Sequence, residues 1–124
     1  MQVKCGIDII EISRIKKSIE DMKEKFLDKI YTDAEIDYCE SKGETKYEHY
    51  AARFAVKEAA FKAISGTLDN KYQIGWKDIE TINEKEGRPK LNILGINTDE
   101  IENIDVSISH CKEYATASVV ILFK

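Results

Sequence analysis

No window of this chain comes near the roughly 18 to 20 uninterrupted apolar residues that a membrane-crossing helix requires. The opening stretch Met1-Gln2-Val3-Lys4-Cys5-Gly6 also lacks the apolar core of a secretory signal, so a cytoplasmic protein is expected. No single sign of charge dominates. Nineteen Lys and Arg against 23 Asp and Glu leave a formal net charge of −4, without the basic field by which proteins hold nucleic acid or anionic membrane. Any positive site must be local. Cysteine is sparse too: Cys5, Cys39 and Cys111 stand far apart with no Cys-x-x-Cys pair, and only His49 and His110 accompany them. That argues against a disulfide framework and leaves no local set of four soft ligands for zinc, so the thiols read as small apolar residues.

What remains is a chain of 124 residues, 43% hydrophobic, which is enough for one modest core and predicts a single domain over residues 1–124. Residues Val3 to Ile9 alternate, with Val3, Cys5, Ile7 and Ile9 on one face and Gly6 and Asp8 on the other, the pattern of a strand. Ser13 is placed to cap a helix along which Ile15, Ile19, Met22 and Phe26 recur at three- and four-residue steps, with Arg14, Lys16 and Lys17 toward solvent. Thr32-Asp33-Ala34-Glu35 matches a capping box, predicting a short helix through Ile36 and Cys39 that ends near Gly43. From Lys46 to Ile64 there is neither proline nor glycine, and Tyr50, Phe54, Phe61 and Ile64 keep a helical period. This should be the longest helix, stopped by Ser65-Gly66 with the glycine in the left-handed region. Strands are expected at Trp76 to Thr81, Leu91 to Leu94, Val106 to Ser109 and Ala115 to Phe123, with a turn at Glu86-Gly87-Arg88-Pro89. Helices first and antiparallel strands later predict an α+β domain, with the early strand completing one sheet.

Three places could carry chemistry. Glu58 lies four residues after Phe54 and three before Phe61, so on a helix it falls in an aromatic seam. A carboxylate buried there without a partner costs several kcal/mol, so Glu58 either pairs with Lys62 at i+4 or binds a cation. Asp8, beside Gly6 on an apolar strand, either caps the turn that follows or offers a second oxygen ligand. Two carboxylates from separate elements, completed by substrate phosphates, are a common way of holding magnesium. The third place is Asp105-Val106-Ser107-Ile108-Ser109-His110. Adjacent strand residues point to opposite faces, which disfavours a catalytic Ser109–His110 pair, and His110 is either a phosphate donor or a surface turn residue.

The segments Gly6 to Ile15, Arg53 to Ala59, and Val106 to His110 followed by Tyr114-Ala115 resemble the signature blocks of the holo-acyl-carrier-protein synthases, small phosphopantetheinyl transferases, and stand in that family's order. Gly87-Arg88-Pro89 and Trp76-Lys77-Asp78-Ile79-Glu80 are similar to its intervening segments, so the resemblance covers nearly the whole chain. It implies helices packed on a mainly antiparallel sheet, a homotrimer with sites between subunits, and transfer of 4′-phosphopantetheine from coenzyme A to a serine of acyl carrier protein for fatty acid biosynthesis. By position it implies that Asp8 and Glu58 hold Mg2+. Arg53, Lys62 and His110 would meet coenzyme A phosphates, Ser109 would also bind the coenzyme, Gly87, Arg88 and Pro89 would lie near the adenine, and Arg14 would meet the carrier. Asp8, Glu58, Lys62 and His110 would be the catalytic set, with Glu58 the candidate base. Gly66-Thr67-Leu68-Asp69-Asn70 departs from the family's usual Gly-Thr-Gly-Ile. Two other readings stand beside this one: a module docking an acidic partner through Arg14, Lys16 and Lys17, and an acyltransferase using Cys111 beside His110.

Overall fold

In the computed structural model, which describes residues 1–70 and 72–124, strand β1 (Gln2–Glu11) runs directly into helix α1 (Ile12–Met22). Helices α2 (Glu24–Ile30), α3 (Asp33–Glu40) and α4 (Lys46–Ile64) follow. The hairpin of β2 (Ile79–Asn83) and β3 (Pro89–Ile93) comes next, then that of β4 (Ile101–His110) and β5 (Tyr114–Phe123). The class is α+β, as expected, but the strands make two sheets. One is three-stranded and antiparallel in the order β1-β5-β4, and the hairpin β2-β3 stands apart from it as the second.

Helix α4 is the centre. Ala55, Ala59 and Ala63 are buried between it and the sheet, with Val119 and Ile121 of β5 and Ile79 of β2 closing the same core. Ile12, Ile15 and Ile19 of α1 pack on a second cluster with Tyr31, Cys39, Tyr50 and Ala51. The alanines let β1 lie almost on the α4 backbone. A Cβ built on Gly6 would stand 1.9 Å from the carbonyl oxygen of Ala59, so only glycine permits this approach.

That approach corrects the expected facing of β1. Gly6 is buried and Asp8 and Ile10 share its side, whereas Val3, Ile7 and Ile9, the apolar stripe, are 64%, 66% and 66% exposed. With Val120 of β5 they form an uncovered apolar surface on the outside of the three-stranded sheet.

Smaller departures have local causes. The first helix does not run to Phe26 but stops at Met22, because Lys23 takes a positive φ of 50° and α2 restarts in a new direction. Met22 is therefore exposed, and Ser13 lies inside the helix while Glu11 occupies the cap position without a side-chain cap bond. Gly66 is not left-handed. The chain leaves α4 through a 3₁₀ turn (Ser65–Thr67), with the Ser65 and Thr67 hydroxyls donating to the carbonyls of Lys62 and Ile64. Leu68, where the loop departs from the family pattern, packs against the core. Trp76 opens a second 3₁₀ turn (Trp76–Asp78) and not a strand. The Thr32 capping box forms as read, and Gly87 turns the β2-β3 hairpin with a φ of 86°.

The charge most deeply committed to the fold is not Glu58 but its neighbour. Lys57 and Glu35 are both fully buried, and Lys57 Nζ lies 2.8 Å from Glu35 Oε1. The ammonium also donates to the carbonyls of Trp76 (3.0 Å) and Ile79, while Glu35 accepts from the Thr81 amide (3.0 Å) and the Thr32 amide (2.9 Å). Burial pulls the Lys57 ammonium below the usual lysine range, against the attraction of Glu35. The pair clamps α3, α4 and the entry to β2 together.

Candidate active site

Asp8 and Glu58 arrive at one place from different elements. The close packing of β1 on α4 at Gly6 sets the Asp8 side chain beside the outer half of the helix, and the two carboxylates line a cleft of about 340 Å³ with Arg14, Ser18 and Phe54. The Glu58–Lys62 pairing considered from sequence is not formed among the described residues. Lys62 Nζ instead donates to the Ile7 carbonyl (2.8 Å) and approaches Asp8 Oδ1 at 3.5 Å. The ammonium is thus held at β1, near Asp8 and not bonded to Glu58. Burial, and next the charge of Asp8, raise the Glu58 carboxyl above its ordinary value, with Lys62 acting the other way.

Glu58 is half-buried, not in the core. Phe54 stacks on Trp76 (centroids 5.2 Å apart, planes at 24°) and Phe61 meets the same indole edge-on (5.4 Å, 87°), so the seam faces the 3₁₀ turn at Trp76. Glu58 therefore also borders an apolar groove with Phe61, Ile74 and Trp76. Among the described residues no group of three or more His, Cys, Asp or Glu converges as a closed metal cage. Asp8 and Glu58 offer only hard oxygen donors, and no side-chain hydrogen bond or ion pair is found for Glu58 among the described residues. That donor set fits a hard divalent cation whose remaining ligands come from elsewhere, and does not fit zinc.

The other candidates assemble at a second cleft, of about 450 Å³, lined by Arg53, His110, Gly87, Arg88 and Pro89. Arg53 is buried, with its guanidinium carbon 4.0 Å above the Tyr38 ring. One nitrogen donates to Asn83 Oδ1 (2.5 Å), whereas its Nε finds no partner. Arg88 pairs with Asp105 at 3.1 Å and 3.3 Å, and His110 Nδ1 lies 3.7 Å from Glu48 Oε1. Ser109 does not join them. It is exposed on the outer side of β4, opposite Thr116, and is absent from the cleft lining, which takes Asp105 to Ile108 and His110 from that strand.

The two clefts lie on different flanks of α4. At about 100° per residue, Glu58 and Lys62 stand roughly 140° and 180° around the helix from Arg53. Sequence reading missed Asn83, Tyr38, Glu48 and His49 of the second cleft. Only His49, one turn before Arg53 on the same helix, carried a signal, by its i, i+4 spacing. Of the basic residues on α1, Arg14 is exposed at the mouth of the Asp8–Glu58 cleft, and Lys16 lies 5.5 Å from the centre of the Tyr47 ring. Cys111 is exposed, and no hydrogen bond joins it to His110 among the described residues. No described helix is long and apolar enough to cross a membrane.

Comparison with known proteins points one way. Residues 4–119 match the family model of the 4′-phosphopantetheinyl transferase superfamily. The holo-[acyl-carrier-protein] synthase of Ruminiclostridium cellulolyticum is 42% identical over 126 residues, covering 98% of this chain and 92% of the relative. That of Thermodesulfovibrio yellowstonii is 45% identical over 116 residues, covering 94% and 95%. Among solved structures, the holo-(acyl-carrier-protein) synthase of Bacillus anthracis in complex with CoA (3′,5′-ADP) superposes with a TM-score of 0.78 at 39% identity, over 95% of this chain and 94% of that one. The Helicobacter pylori synthase in complex with coenzyme A gives 0.82 at 31% identity, over 95% and 99%. The helices-on-sheet arrangement described above is the fold of these enzymes.

Proposed function

The chain belongs to the 4′-phosphopantetheinyl transferase superfamily, and from that premise we propose that it is a holo-acyl-carrier-protein synthase working at the two clefts of α4. It transfers 4′-phosphopantetheine from coenzyme A to a serine of apo acyl carrier protein. The serine oxygen attacks the β-phosphorus of coenzyme A as the bond to the bridging oxygen breaks, and adenosine 3′,5′-bisphosphate leaves. The observation that carries the reading is the meeting of Asp8 and Glu58, from separate elements, in one cleft.

Asp8 and Glu58 would hold a magnesium ion, which when bound would neutralise the pyrophosphate oxygens and fix their orientation. Lys62, tethered to the Ile7 carbonyl, stabilises the charge that grows on the leaving phosphate. Glu58 is the candidate acceptor of the serine proton, directly or through a water. Arg53, Arg88 and His110 bind the nucleotide phosphates from the second cleft, with Gly87 and Pro89 near the adenine. Arg14, at the mouth of the carboxylate cleft, meets the acidic carrier as it delivers its serine.

The two clefts open on opposite flanks of α4, and we infer that the site is shared between neighbours, each subunit giving one flank. The uncovered apolar surface of Val3, Ile7, Ile9 and Val120 suits the packing of three copies around an axis. A homotrimer in the cytoplasm, serving fatty acid biosynthesis, is the setting we infer. Incubating the protein with magnesium, coenzyme A and an apo carrier, and weighing the carrier by mass spectrometry, tests the reaction. A gain of a single phosphopantetheine on the carrier is expected. An unchanged mass at full magnesium and coenzyme A would overturn the reading.

A further inference from the structure

The chain has only two histidines, and although they stand far apart in sequence the fold brings their rings together. His49, on α4, lies with its ring centre 5.4 Å from that of His110 on β4 in an edge-to-face contact (67°). Its other side meets Tyr38 of α3, also edge-on, at 5.6 Å and 79°. All three line the cleft that holds Arg53 and Arg88.

The groups of this cleft differ in how far their hydrogen-bonding needs are met. His110 leans on Glu48, Arg88 is paired with Asp105, and Arg53 gives one nitrogen to Asn83. One buried donor of the cleft is left over, Arg53 Nε, which has no partner; the half-buried His49 imidazole makes ring contacts, and no hydrogen bond is found for it among the described residues. A polar cleft walled by two arginines and two imidazoles, with an unmet buried donor, is suited to an anion that can accept several bonds at once. We propose that His49 is a second imidazole of the anion site, binding the phosphate monoester of the donor nucleotide as its imidazolium, beside His110 and Arg53.

The inference rests on reading this cleft as the coenzyme A phosphate site. Every element around His49 contributes a charged or titratable group: Tyr38 from α3 and Lys42 after it, Glu48 and Arg53 from α4, His110 and Asp105 from β4, and Arg88 from the β2-β3 turn. Burial, then His110, Lys42 and Arg53, lower the His49 imidazole below its ordinary value, and Glu48 opposes them only weakly. His49 is thus mostly neutral before ligand arrives. A phosphate dianion supplies the missing negative charge, so its binding draws a proton onto the ring. Ligand binding and proton uptake are therefore linked, and affinity rises as pH falls through the imidazole range.

The test is titration calorimetry of adenosine 3′,5′-bisphosphate into the full protein, in two buffers of different ionisation heat, at about pH 6.5 and about pH 8.5. His49→Phe keeps the aromatic edge contacts to Tyr38 and His110 but can neither donate nor carry charge. The wild type should take up protons on binding at the lower pH. His49→Phe should take up fewer and bind roughly tenfold more weakly there, the cost of losing a charge-assisted bond, with the two proteins converging at the higher pH. Binding by both proteins with equal affinity and equal proton uptake would overturn the role of His49 while leaving the nucleotide site standing. No binding to the wild type at either pH would overturn the nucleotide reading itself, and this inference with it.

Discussion

On one flank of α4 two carboxylates, Asp8 and Glu58, line a cleft with Arg14, and Lys62 approaches Asp8 alone. On the other, Arg53, His49 and His110 face a cleft in which Glu48 and Asp105 are the acids. Between these flanks, on the buried side of the same helix, Lys57 and Glu35 answer each other completely and the surrounding carbonyls and amides meet their remaining needs. The difference separates charge that builds the fold from charge kept for a ligand. The structural pair is balanced, dry and fully bonded. The outer two sets lie open in clefts, the first offering carboxylate oxygens and the second guanidinium and imidazole donors, which on the proposed function would meet a magnesium-bound pyrophosphate.

The largest effect should come from the balanced pair. Lys57→Met leaves Glu35 buried without a counter-charge, at a cost of about 3–5 kcal/mol, read from the urea midpoint of unfolding. A cost near zero would mean that the clamp on α3 and β2 holds without its ion pair. Next come the carboxylates: Asp8→Ala or Glu58→Ala should cut turnover by about a hundredfold or more, while the urea midpoint barely moves. Retained turnover in either variant would put the carboxylate flank of the helix in the structural class. Reversing Arg14 to Glu should be milder, raising the apparent KM for the carrier by about tenfold and flattening its salt dependence, with KM for coenzyme A nearly unchanged. A change in the coenzyme A term alone would move α1 from the docking surface into the nucleotide site.

The smallest effect is on pH and stability. Because the folded Glu58 carboxyl is raised, the folded state holds that proton more tightly than the unfolded chain does. Its penalty is absent below the unfolded value of 4.5 and fully present above the raised one. Glu58→Gln should therefore melt slightly higher than the wild type at neutral pH without magnesium, and the gain should vanish at about pH 4. A gain that persists in acid would show that the side chain, not its charge, sets the difference.

Sequence periodicity revealed the long helix to its ends, because Lys46 to Ile64 lacks breakers and the Thr32 box marks α3. It could not tell which side of β1 faces inward. Alternation by two fixes the two sets of residues but not their destination, and here the glycine side is buried because α4 comes too close for any side chain. The seam around Glu58 was legible as aromatic, but its true partner, Trp76, is joined to it only by the fold. Lys57 escaped notice for the same reason, since Glu35 lies on another helix and serves its own cap as well. Asp8, Glu58, Arg53, His110 and the Gly87 turn were named as candidates with the help of the resemblance, and the geometry collects them into two clefts.

Whether those clefts are halves of one site can be measured by complementation. Glu58→Ala and Arg53→Ala subunits, each inactive alone, are unfolded, mixed in equal amounts and refolded, and carrier modification is followed at saturating coenzyme A. If α4 gives one flank to each of two neighbouring sites, random assembly restores an intact pair at about a quarter of the interfaces, and activity returns to about a quarter of that of refolded wild type. Activity no greater than the sum of the two variants alone would contradict the shared site and confine the chemistry to a single subunit.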